Sequence, residues 1–110
     1  MAVLQTILAG AGQPFRIVRI DCSPYGRGRA EGGEGEIDLI PAYTNSLILN
    51  DQVFVPLFGG PGDAAALATW QQVLPGHRIV GIRDASWKPF DALHCRTRAV
   101  FAAPAAVAKR

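Results

Sequence analysis

Histidine and cysteine are nearly absent from this chain of 110 residues, which has only His77, His94, Cys22 and Cys95. Two thiols fall well short of the disulfide framework that staples a small secreted domain. A zinc site built from those four residues would lack the paired spacing such sites use, so no metal is expected. Lysine is just as scarce: Lys88 and Lys109 are the only lysines among 11 basic residues, and the rest are arginines suited to planar hydrogen bonding. Net charge is also small, a formal +2, too weak to imply nucleic acid as the main partner. No stretch approaches the ~20 apolar residues of a membrane span. The apolar opening from Met1 to Gly10 has no basic segment before it and fails as a secretory signal. The chain is therefore expected to be soluble, with no membrane partner.

What is present is globular in composition, 49% apolar and 18% charged. The length allows one domain with one core, burying about two-thirds of its unfolded surface. Val3, Leu4, Ile7 and Leu8 form one stripe of a helix over residues 2–10, closed by Gly10 and Gly12. The β-branched run Phe15 to Ile20, bounded by Pro14 and by Ser23-Pro24, predicts a strand. Residues 22–37 read as a flexible glycine-rich surface loop, because Gly26, Gly28, Gly32, Gly33 and Gly35 alternate with charged residues. Arginine-glycine RNA binding and phosphate cradling are both disfavoured there: the run is short, three glutamates offset two arginines, and no Gly-Lys-Ser appears.

From residue 46 the pattern sharpens. Ser46 to Leu49 and Val53 to Leu57 flank the polar connector Asn50-Asp51-Gln52, which predicts a β-hairpin. Asp63 reads as a helix N-cap, followed by a helix over residues 64–74 with Ala66, Leu67, Trp70, Val73 and Leu74 on one face, stopped by Pro75-Gly76. Residues 78–82 form another strand, 83–92 a loop whose Trp87 and Phe90 cover something, and 93–103 a mostly extended stretch. The order from residue 46 is a ββαβ unit, expected as part of an internally repeated α/β architecture.

Two places carry chemistry. Cys95 has His94, Arg96 and Arg98 within three residues, a cationic setting of the kind that activates a thiol. Upstream, Asn45 lies in the tract Tyr43-Thr44-Asn45-Ser46, where an asparagine serves either as a turn residue or as support for a site. Cys22 reads as a structural thiol at a strand end, and Trp70 and Trp87 as core.

The run Pro41 to Asn45, Asn50, Val55-Pro56, Asp63, Leu74-Pro75-Gly76, Ile79 to Ile82 and His94-Cys95 resembles the C-terminal part of the agmatine deiminase and bacterial peptidylarginine deiminase family, over residues 38–100. The resemblance implies an α/β pentein fold: one to two ββαβ repeats of an α/β-propeller, a mixed sheet with helices on one side. Residues 1–110 are then expected to form a single partial domain, the C-terminal portion of that fold. It also implies hydrolysis of an arginine-type guanidinium substrate without metal or organic cofactor. Cys95 matches the nucleophile and Asn45 the asparagine that orders the site. The family's general acid and base histidine and its two guanidinium-clamping acids lie earlier in a Gly-x-x-His-x-Asp-type segment that this chain lacks, so the chain alone is expected to be inactive.

His94 is a poor substitute, since neighbours in an extended strand face opposite ways. Lys88 to Leu93 departs from the Gly-Gly-Gly-Asn of agmatine deiminases, and the Ala-Leu-His-Cys-Arg-Thr run is closer to the peptidylarginine branch. That branch implies peptidyl-arginine conversion to citrulline and export; the other implies agmatine conversion to N-carbamoylputrescine in the cytoplasm. A piece of such a fold should self-associate or pair with the missing part. The rival expectation is a non-catalytic binding or dimerisation module.

Overall fold

The computed structural model describes residues 12–102, so the helix expected over 2–10 lies outside the described residues. Five strands and one helix follow in the order β1 (Gly26–Arg29), β2 (Glu36–Leu39), β3 (Leu47–Leu49), β4 (Gln52–Leu57), α1 (Asp63–Val73) and β5 (Arg78–Arg83). The expected ββαβ unit is present as a mixed sheet in the order β3-β4-β5, with α1 packed on one face. β3 runs antiparallel to β4, Leu47 opposite Phe54 and Leu49 opposite Gln52, across a tight turn at Asn50-Asp51. Asn50 takes the left-handed conformation, φ 54°, which asparagine tolerates better than most residues. β5 runs parallel to β4, as the crossover through α1 requires.

β4 holds the core because its alternate β-branched residues meet the helix. Val53 and Val55 are fully buried, packed with Ala66 of α1 and with Tyr43, and flanked by Leu67, Trp70 and Ile79. Burial of each valine contributes about 1.5–3 kcal/mol. Pro56, also fully buried, lies beyond Phe54, where the pairing with β3 ends, so only β5 flanks it and its missing N–H is tolerated. The register sets Leu47, Leu49, Phe54, Val80 and Ile82 on the face away from α1. Leu49 there is 53% exposed and the other four are half-buried.

Four expectations need correction. Phe15 to Ile20 joins no ladder, so its β-branched residues have no partner strand among the described residues. The glycine-rich stretch 22–37 instead contains β1 and the start of β2, which pair antiparallel from Gly26 opposite Leu39 to Arg29 opposite Glu36. The glycines are what permit it: a Cβ on Gly28 would sit 2.8 Å from Leu39 Cδ2. Asp63 is the first residue of α1 and does not cap it; Gly62 precedes the helix with no side-chain cap. The Asp63 carboxylate turns back, accepting hydrogen bonds from the N–H of Phe58 (3.1 Å), the N–H of Gly59 (2.9 Å) and the Tyr43 hydroxyl (2.8 Å). Finally, the extended stretch expected from residue 93 begins with a tight turn, closed by Arg96 N–H to Ala92 O (3.2 Å) and Thr97 N–H to His94 O (3.3 Å).

Candidate active site

The turn that carries Asn45 is anchored from the core. Tyr43 is 1% exposed, and its carbonyl accepts from Ser46 Oγ (2.7 Å) and from the Trp70 indole N–H (3.2 Å). Burial first, then the hydrogen bond to Asp63, pushes the Tyr43 hydroxyl far above the usual tyrosine range. A buried donor held this way fixes the chain just before β3, and Asn45 N–H closes the turn onto Ala42 O at 2.9 Å.

The topology then meets this turn with the loop after β5. β3 is antiparallel and β5 parallel to β4, so the start of β3 and the end of β5 lie at the same end of the sheet. Leaving β5, the Trp87 indole N–H returns to Ile82 O (3.1 Å), and the Asp84 carboxylate accepts from the Ser86 N–H (2.7 Å); the nearby Ser86 side chain and this bond lower the Asp84 pKa. Lys88 and Asp91 exchange two backbone hydrogen bonds of 3.1 Å around the corner Pro89-Phe90. Phe90 sits at φ 66°, where a bulky residue is strained by about 1–3 kcal/mol.

Asn45 joins the two segments. Its backbone carbonyl accepts from His94 N–H (3.2 Å) and its Oδ1 from Cys95 N–H (2.9 Å). Its Nδ2 donates to Phe90 O (3.3 Å) and to Cys95 Sγ (2.8 Å). An N–H on one side and a carbonyl on the other leave one orientation of the amide. The two residues singled out from sequence, 50 positions apart, are therefore in direct contact, and Cys95 is exposed.

Beside them lies an open cavity of about 420 Å³ whose wall includes Cys22, Pro41, Thr44, Asn45, Phe90 and His94. Cys95 is not itself on that wall; its sulfur touches Asn45 and Phe90, which are. His94 does line this cavity, although the chain there is a turn and not the extended strand expected. Cys22, read as structural, does both jobs: it packs against the core cluster and faces the cavity. Arg96, expected to lend charge to the thiol, makes four guanidinium hydrogen bonds, all to Asp91 and Ser86. Among the described residues no three His, Cys, Asp or Glu side chains converge as a metal site would need. Sequence reasoning missed the Phe90 carbonyl and the Cys22 wall, since neither a backbone acceptor nor a fold-made neighbour leaves a motif.

Comparison with known proteins identifies a family and a fold. The sequence model of the Porphyromonas-type peptidyl-arginine deiminase family matches residues 1–100, reaching the first 37 residues that motif reading left out. Agmatine deiminase of Ectopseudomonas mendocina is 43% identical over 54 residues, which are 46% of this chain and 15% of that protein. The crystal structure of a protein provisionally named a peptidyl-arginine deiminase superposes with a TM-score of 0.71 at 26% identity, covering 91% of this chain and 28% of the other. Agmatine deiminase of Enterococcus faecalis superposes at 0.54 with 28% identity, covering 73% of this chain and 25% of the other. The chain thus spans less than a third of the length of these relatives. The α/β fold is that of the deiminases.

Proposed function

Because the chain belongs to the Porphyromonas-type peptidyl-arginine deiminase family, we propose that it carries the nucleophile of a guanidine deiminase, with Cys95 in that role and Asn45 ordering it. The observation that carries this reading is the reciprocal pair between the Asn45 amide and Cys95, backbone N–H and sulfur alike, beside an open cavity. Guanidinium is a delocalised cation and a poor electrophile, so attack at its central carbon needs a soft, anionic atom. The thiolate forms the C–S bond, the tetrahedral adduct expels ammonia once a proton is supplied, and water then displaces the sulfur to leave a ureido group and regenerate the thiolate. Proton transfer and clamping of the cation need an acid–base residue and carboxylates at the reacting group. His94 lines the cavity but, as the neighbour of Cys95, is a poor substitute for that acid, so the proton donor and the clamping carboxylates are taken to come from a complementary segment.

Peptidyl-arginine is the proposed substrate, giving citrulline, on the strength of the family and of the Ala92 to Thr97 run. Agmatine is the second reading, favoured by the likeness to the two agmatine deiminases. Pairing with a complementary segment, or with a second copy, is supported by the apolar sheet face away from α1 and by a core whose buried apolar side chains number only Pro41, Tyr43, Val53, Val55, Pro56, Ala66 and Ala92 among the described residues. Sedimentation across a concentration series should show association; a monomer throughout would count against the pairing.

Alkylation by a haloacetamidine, which mimics the guanidinium, tests the nucleophile directly. Cys95 should be modified far ahead of Cys22, and Asn45→Ala should slow it by about a hundredfold while leaving Cys22 unchanged. Equal, slow modification of both thiols would leave a non-catalytic binding module. The isolated chain should release negligible citrulline or ammonia, since the missing groups contribute orders of magnitude to the rate.

A further inference from the structure

Arg96 follows Cys95 directly, yet its guanidinium turns away from the sulfur. Its Nε and Nη2 donate to Asp91 Oδ2 at 3.2 and 2.9 Å, its Nη1 to Ser86 Oγ at 2.9 Å, and its Nη2 to Ser86 O at 2.7 Å. The guanidinium also lies over Trp87, 5.0 Å from the ring centroid. One side chain thereby ties together the two ends of the segment from Ser86 to Asp91. Within that segment Phe90 is held at φ 66° although its side chain is 70% exposed, so the packing of its own ring does little to hold the strained conformation. The Phe90 carbonyl is also the acceptor that orients the Asn45 amide toward Cys95.

We propose that Arg96 is a positioning residue for the nucleophile: by bracing Ser86 and Asp91 it keeps Phe90 in its left-handed conformation, which aims the Phe90 carbonyl at Asn45 and so aims Asn45 at Cys95. This rests on Cys95 being the nucleophile. If the brace is lost, Phe90 relaxes to negative φ, the peptide plane rotates, and the Asn45 amide loses one of the two partners that set its orientation. Arg96 touches neither the sulfur nor the cavity and acts only through this relay.

The test pairs two measurements on the full chain: haloacetamidine alkylation of Cys95 against Cys22, and hydrogen exchange at the Cys95 amide that Asn45 Oδ1 accepts from. Arg96→Gln should slow Cys95 alkylation about tenfold and speed exchange at that amide by a similar factor, with Cys22 and the β4 amides unchanged. Asp91→Asn should reproduce both effects, and the double variant should add little to either single one, as expected of residues acting as a unit. Phe90→Gly in the Arg96→Gln background should restore exchange protection at Cys95, because glycine adopts φ 66° without strain and needs no brace. Unchanged exchange at Cys95 in Arg96→Gln, exchange rising equally in β4, or no rescue by Phe90→Gly would each overturn the proposal. Should unmodified protein alkylate Cys95 no faster than Cys22, the nucleophile reading falls, while the exchange and rescue arms still decide whether Arg96 holds the turn.

Discussion

The ββαβ unit from Leu47 to Arg83 and the loop from Asp84 to Thr97 are held together by different forces. The first is apolar: Val53 and Val55 are completely buried against Ala66, with Trp70 and Leu67 around them. The second is polar: Arg96, Asp91, Ser86, Asn45 and the Lys88–Asp91 backbone bonds hold it, while His94, Cys95 and Phe90 stay exposed. Burial is strong but non-directional, which suits a scaffold. Hydrogen bonds are individually weak but geometrically demanding, which suits a site where one sulfur must be placed to within a fraction of an ångström.

That contrast breaks most severely in the scaffold. Val55→Asp would set an unpaired carboxylate at a fully buried position and should cost at least about 3–5 kcal/mol, enough to abolish a cooperative unfolding transition followed by circular dichroism. Retention of a native-like transition would show that the core is softer than its burial implies.

Tyr43 belongs to both regions and should give the next largest effect. Tyr43→Phe deletes the hydroxyl that donates to Asp63, which keeps its two backbone N–H donors, and should cost about 1–3 kcal/mol. It should also alter the alkaline response. The folded state keeps the Tyr43 proton, through burial first and then the bond to Asp63, whereas the unfolded chain releases it near pH ~10. Stability from this group is therefore full below that pH and falls as the pH rises toward the folded value. Urea midpoints from about pH 8 to about pH 11 should drop steeply in the unmodified protein and less in Tyr43→Phe, with a residual slope from Tyr25, whose hydroxyl is also raised by burial. Parallel curves would refute the assignment.

The smallest effect should lie on the solvent face of the β1–β2 hairpin, whose turn meets the loop through the Glu31–Lys88 ion pair. Arg27 pairs with Glu36 at 3.3 Å with side chains 65% and 69% exposed, so Arg27→Gln should shift stability by less than about 0.5 kcal/mol and leave Cys95 alkylation unchanged. A change in alkylation would mean that Arg27 acts on the site through the hairpin's contact with Lys88.

The scaffold was the legible region. Alternation in Gln52 to Leu57, the helical stripe from Ala66 to Leu74 and the Asn50-Asp51 connector are local signals, and each matched its element. Phe15 to Ile20 misled because β-branched residues favour a strand but cannot provide a partner for it. The glycines of β1 misled in the opposite direction, since their pairing depends on Leu39, 11 residues beyond Gly28, lying across them. Asp63 looked like a cap because its type is right for one, and its actual acceptors depend on where Tyr43 and the Phe58-Gly59 backbone come to rest.

From its amino acids alone this chain is committed to a ββαβ unit, to two thiols of which one follows a histidine, and to membership of a deiminase family through short motifs in a set order. Folding alone decided that Asn45 and Cys95 touch, that Cys22 shares a cavity wall with His94, and that Arg96 faces Ser86 and Asp91 instead of the sulfur. The reason is topological. Residues 50 positions apart become neighbours only because an antiparallel and a parallel strand flank β4, bringing the approach to one and the exit from the other to the same end of the sheet.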